Sequence, residues 1–129
     1  MNELNKMFCT EILELRKFTN ATQKDFAETY RITLKTLQNW EQQVSVPSYT
    51  ELYLLRRCIM EDTKNIGIKD ENCQTYDYLL TDGTKLYNQD WNGEFYTIND
   101  KNYKPIQIPI SYDDGEPDIW QTIGFELLY

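Results

Sequence analysis

The side chains that usually carry reaction chemistry are scarce in this chain. It has no histidine, which removes the commonest metal ligand and the usual general base near neutral pH. Its cysteines, Cys9, Cys58 and Cys73, are odd in number and have no CxxC spacing. Neither a zinc site nor a closed disulfide set is expected, and the thiols fit a reducing cytosol. No nucleophile–base pair is visible. Asp113-Asp114-Gly115-Glu116 with Asp118 lacks the spaced calcium-loop pattern and its distal bidentate glutamate, so it reads as a solvated surface turn. The expectation is a non-enzyme with no catalytic residue, no metal and no cofactor. What remains is hydrogen-bonding chemistry in one short segment. Gln23, Gln38 and Asn39 carry amides that can pair bidentate with adenine, and Lys35 can donate to guanine acceptors.

Those residues need rigid elements to present them. Leu4, Phe8, Ile12 and Leu15 recur at spacings of four, four and three, which puts them on one face of a first helix. Thr19-Asn20 breaks the pattern. Thr22 then caps a second helix whose buried side is Phe26, Ala27 and Tyr30, with Asp25 suiting its positive N-terminus. Thr33 caps a third, in which Leu34, Leu37 and Trp40 follow at a spacing of three. Pro47-Ser48-Tyr49-Thr50-Glu51 is a capping-box signature opening a fourth, with Leu52, Leu55 and Ile59 inside and Arg56-Arg57 facing solvent. Small Ala27 allows a close crossing of the second and third helices, while Ile32, Leu37 and Trp40 hold the turn and the third helix onto a core. This is a helix-turn-helix geometry, whose second helix lies in a DNA major groove.

From about Leu15-Arg16 to Leu55-Arg56 the chain resembles the phage-repressor (XRE, Cro/CI-like) helix-turn-helix family. The likeness is carried by TQKDFA, the turn ITLKTL, the pair Trp40-Glu41, and Pro47-Ser48 before a leucine-rich helix. The resemblance implies that Gln23, Leu34, Lys35, Gln38 and Asn39 face DNA, and that Thr33 and Thr36 cap the recognition helix or contact phosphate. Thr22 and Lys24 at the start of the second helix complete the expected DNA-binding set. Arg16, Lys17, Lys24, Arg31 and Lys35, against Asp25 and Glu28, form a modest phosphate-binding stripe. Two positions depart from the family pattern. Arg31 and Gln43 stand where family members have glycine, and a non-glycine residue at φ > 0 costs about 1 kcal/mol.

The chain of 129 residues carries a formal net charge of −8, which argues against binding nucleic acid or anionic membrane by bulk charge. The imbalance is not shared evenly. Residues 1–65 hold nine basic and nine acidic residues, whereas residues 66–129 hold four and twelve. The second half also holds seven of the ten tyrosines, read as plain strand composition. Tyr76, Tyr78 and Leu80 alternate before Thr81-Asp82-Gly83, Asn92-Gly93 precedes Phe95–Ile98, and Ile106, Ile108 and Ile110 alternate around Pro109. Proline there implies an edge strand or a bulge. Ile119–Leu128 makes a last strand, or two broken at Gly124.

The expected fold class is therefore α+β: an all-helical helix-turn-helix domain over 1–65, then a small antiparallel, acidic β-rich domain over 66–129, divided near Thr63–Glu71. The expected function is a cytoplasmic, sequence-specific DNA-binding regulator, a repressor or autorepressor. It would bind double-stranded operator DNA as a homodimer, since few phosphate contacts per subunit make a monomer weak. Residues 66–129 would serve dimerisation or a protein partner. No membrane partner is expected, because no apolar run of 18 or more residues exists. The alternative is a phage or mobile-element inhibitor whose acidic half mimics nucleic acid or binds a partner enzyme, with the helix-turn-helix used for autoregulation.

Overall fold

Among the described residues four α-helices form where caps and apolar spacing place them. The computed structural model describes residues 1–63, 78–80 and 83–128. Helix α1 (Glu3–Thr19) starts at Asn2, whose side chain accepts the Asn5 N–H at 2.8 Å. It ends at Asn20, which takes a left-handed conformation (φ 59°) and donates its N–H to the Lys17 carbonyl. Asparagine tolerates that conformation better than most residues. Helices α2 (Gln23–Thr29) and α3 (Leu34–Glu41) begin after Thr22 and Thr33, whose hydroxyls accept the N–H of Asp25 and Thr36. Helix α4 (Tyr49–Asp62) opens with the reciprocal capping box: Glu51 N–H to Ser48 Oγ, and Ser48 N–H to Glu51 Oε1.

The buried faces follow the periodicity, with two corrections. Ile12, Leu15, Phe26, Ala27, Leu37, Trp40, Leu52, Leu55 and Ile59 are all buried, each large aliphatic or aromatic contributing about 1.5–3 kcal/mol. Leu4, expected on the same face as Ile12, is 54% exposed. Helical spacing fixes the side on which a residue lies, not whether anything covers that turn. Arg56, expected to face solvent, is only 5% exposed. It lies four residues after Leu52 and so shares that buried face, whereas Arg57 is exposed and pairs with Glu61 at 3.5 Å.

The remaining described residues are mainly antiparallel strand. Strands β1 (Tyr78–Leu79) and β2 (Lys85–Leu86) pair with Tyr78 opposite Leu86; the Gly83 N–H donates to the Leu80 carbonyl, and Gly83 has φ 91°. Tyr76 and Thr81-Asp82 of that expected hairpin lie outside the described residues, as does Cys73. A second sheet has the order β3 (Tyr96–Ile98), β4 (Lys101–Asp113), β5 (Glu116–Leu128). Asn92-Gly93 does open a tight turn: the Asn92 side chain accepts the N–H groups of Glu94 and Phe95, and Trp91 bridges Tyr96. Strand β5 is continuous through Gly124.

Pro105 and Pro109 sit in β4, the middle strand of the order, where a missing N–H would break a ladder. Strand β3 pairs only with Lys101–Tyr103, so both prolines lie beyond its end. Among the described residues β4 is locally an edge on that side.

The chain forms two compact units. One comprises residues 1–55 with 108–121, and the other residues 56–107 with 122–129. The composition break near Thr63–Glu71 thus differs from the grouping by contacts, which places the tip of the β4–β5 hairpin with the helices. In the second unit Leu80, Leu86, Tyr96, Tyr103 and Phe125 make the core, with Tyr78, Ile98 and Leu127 packed on it. Tyr78 meets Phe125 edge-on, with ring centroids 4.9 Å apart. Tyr78, Tyr96 and Tyr103 are thus core material. No helix among the described residues is long and apolar enough to cross a membrane.

Candidate nucleic-acid interface

Helix α3 is short, and its two sides differ sharply. Leu37 is fully buried and Trp40 nearly so. On the opposite side Lys35 is exposed, Leu34 is 41% exposed, and Gln38 and Asn39 are half-buried. These four residues form one stripe at helical spacings of one and four. Thr33 and Thr36 stand at the helix start, joined by a 2.7 Å hydroxyl–hydroxyl bond in addition to the cap. Their hydroxyls therefore serve the helix end first. Helix α2 presents Thr22 and Lys24, both exposed, at its own start. Its crossing with α3 is close because Ala27 is small and buried, and the Ile32 N–H returns to the Ala27 carbonyl at 2.9 Å.

The turn between α2 and α3 and the turn after α3 need left-handed backbone. Arg31 has φ 59° and Gln43 φ 62°. Neither is glycine, so this chain accepts the steric cost of a side chain at both.

The centre of the site is an ion pair that local patterning does not reveal. Arg16, on α1, donates from Nε to Glu41 Oε2 at 2.9 Å and from Nη2 to Glu41 Oε1 at 2.8 Å. Its Nη1 also donates to the Ala21 carbonyl at 3.1 Å. The Glu41 side chain is 6% exposed and that of Arg16 20%. The hydrogen bond to Glu41 raises the Arg16 guanidinium above its usual value, opposing burial, which lowers it. Gln23 joins the same carboxylate: its Nε2 donates to Glu41 Oε1 at 3.3 Å. One carboxylate at the end of α3 thus holds α1 and the start of α2. Arg16 adjoins core Leu15, and Glu41 adjoins core Trp40; that adjacency is the only local signal of the pair.

This arrangement corrects the expected phosphate stripe. Arg16 is committed to Glu41, and Lys17 leans on Glu14 at 3.4 Å. Lys24, Arg31 and Lys35 remain exposed. No lysine or arginine occurs from residue 36 to 55, so the loop after α3 adds no cation. It adds instead an apolar tip, Val44, at 68% exposure.

The arrangement can offer amide and ammonium hydrogen bonds, an exposed leucine for a methyl group, and three outward cations. It offers no acid–base pair, and among the described residues no group of three or more His, Cys, Asp or Glu is placed to hold a metal ion. No family model, curated protein or solved structure matches the chain.

Proposed function

We propose that the protein is a sequence-specific DNA-binding regulator that reads the major groove with α3. The observation that carries this reading is the outward stripe Leu34, Lys35, Gln38 and Asn39 on a helix whose other side, Leu37 and Trp40, is buried. The side chains suit base edges: amides for adenine, lysine for guanine, leucine for a thymine methyl. Gln23, steadied by Glu41, and Thr22 and Lys24 lie at the start of α2, where phosphate contacts orient a helix-turn-helix on the duplex. The protein acts as a homodimer on a two-fold operator, with half-sites about 34 Å apart, and represses by occupying the operator.

The test is a gel-shift titration against the DNA preceding its own coding sequence, with scrambled duplex as competitor. Specific retardation is expected. Lys35→Ala and Asn39→Ala should each weaken specific binding by about 1–3 kcal/mol while the helical circular dichroism stays unchanged. Equal affinity for specific and scrambled duplex, or unchanged affinity in both variants, refutes the reading.

A further inference from the structure

The tip of the β4–β5 hairpin has an outward face with an unusual composition. Asp114 and Gly115, with φ 51° and 82°, make the two-residue turn between the strands. That turn sets Asp113 opposite Glu116, Ser111 opposite Asp118, and Pro109 opposite Trp120. The same register places Gln107 opposite Thr122, and those side chains are hydrogen-bonded at 3.2 Å. Residues two apart on a strand share a face. Glu116, Asp118 and Trp120 therefore line one side of β5, and Asp113 continues it across the turn. The other side of the hairpin carries Ile110, 9% exposed, and Tyr112, whose hydroxyl is fastened to Glu14 of α1 at 2.7 Å. The acidic side is open: Asp113, Glu116 and Asp118 are exposed, and Trp120 is 53% exposed.

In isolation this face is poorly designed. A large indole lies in water, and two carboxylates sit directly across the strands from each other, which is destabilising. The hairpin itself carries no lysine or arginine from residue 105 to 129; Lys6 of α1 lines a cavity with Ile110, Ser111 and Tyr112. Local conflicts of this kind are expected where a surface is completed by something else. The geometry points to a docking surface for an arginine-rich segment of another protein. A guanidinium can lie over the face of Trp120 while its N–H fork meets the Glu116 or Asp118 carboxylate. A run of such cations would also separate Asp113 from Glu116. DNA is excluded as the occupant by the sign of the charge, so this surface is independent of the α3 reading.

The experiment uses the full chain, labelled with nitrogen-15, titrated with a short peptide of alternating arginine and serine at two salt concentrations. The Trp120 indole and the amides of residues 111–120 should shift, while the buried Trp40 indole stays still. Trp120→Ala, and separately Glu116→Gln with Asp118→Asn, should each weaken binding about tenfold. Glu126→Gln, an exposed carboxylate further along β5, should leave it unchanged. Equal losses from Glu126→Gln and the tip variants overturn the proposal, since the peptide would then be reading bulk charge. Shifts confined to other residues overturn it too. So does dissociation of a dimer by Trp120→Ala in sedimentation, which would make the occupant a second copy, or movement of the same signals by duplex DNA.

Discussion

Replacing Glu41 by glutamine tests the centre of the helical unit. The substitution keeps the size of the side chain and removes its charge. One of the two oxygens facing Arg16 becomes an NH2 group, so a donor meets a donor in place of the 2.8 or 2.9 Å bonds. Breaking one partner of a buried ion pair costs about 3–5 kcal/mol. Arg16 is one-fifth exposed and retains its bond to the Ala21 carbonyl, so water and that bond recover part of the loss, leaving about 2–4 kcal/mol. Urea unfolding followed at the helical dichroism band gives the value. The decisive measurement is the cycle made of Arg16→Met, Glu41→Leu and the two together. The double variant Arg16→Met with Glu41→Leu should lie within about 1 kcal/mol of the parent, since apolar side chains of similar volume replace buried pairs at little cost. A coupling energy below about 0.5 kcal/mol would show two independent residues, and the account of Glu41 as the tie among α1, α2 and α3 would fail.

Two further predictions follow from local geometry. Gln43→Gly and Arg31→Gly remove non-glycine residues from φ 62° and 59°. Each should stabilise by about 0.5–1 kcal/mol, the released strain being partly offset by the greater freedom of glycine in the unfolded chain. Asn20→Gly, at φ 59°, should gain much less because asparagine tolerates that conformation; equal gains at all three sites in thermal unfolding would refute the steric argument. The Tyr112 phenol, though nearly half exposed, is pushed up to about 12 by its hydrogen bond to Glu14, aided by burial and by the negative charge of Glu14. A folded value above the unfolded one, about 10, means that the bond stabilises fully below pH 10 and is lost between pH 10 and 12. The difference in urea midpoint between the parent and Tyr112→Phe should therefore shrink over that range, and a difference constant from pH 9 to 12 would refute it.

What could be read in the sequence was what is settled over a few residues. Thr22, Thr33 and the Ser48–Glu51 box each cap a helix through partners three positions away, so composition alone locates them. Arg31 and Gln43 draw notice in the sequence only through the resemblance, which implies glycine at those two positions; their left-handed backbone is seen in the structure. Arg16 and Glu41 are 25 residues apart, and Tyr112 and Glu14 are 98 apart; nothing near either partner specifies the other. For the same reason Arg16 reads from sequence as a free cation, although the fold consumes its charge. The hairpin tip shows the limit most clearly. Its acidity groups it with the second half of the chain, yet Tyr112 ties it to α1.

The cation count bears directly on how the proposed DNA reading must operate. With Arg16 bound to Glu41, Lys17 leaning on Glu14, and no lysine or arginine from 36 to 55, the outward cations on α2, α3 and the turn between them are Lys24, Arg31 and Lys35. Each neutralised phosphate contributes about −0.9 to the slope of log affinity against log salt. One protomer would therefore show a slope no steeper than about −2.7, and two protomers about −5.4. A slope near the first value is that of a weak binder. Useful operator affinity then requires two reading helices acting together, which is why the proposal specifies a dimer. A measured slope much steeper than the two-protomer value would mean that cations outside this set reach the duplex, and the interface drawn around α3 would be too small.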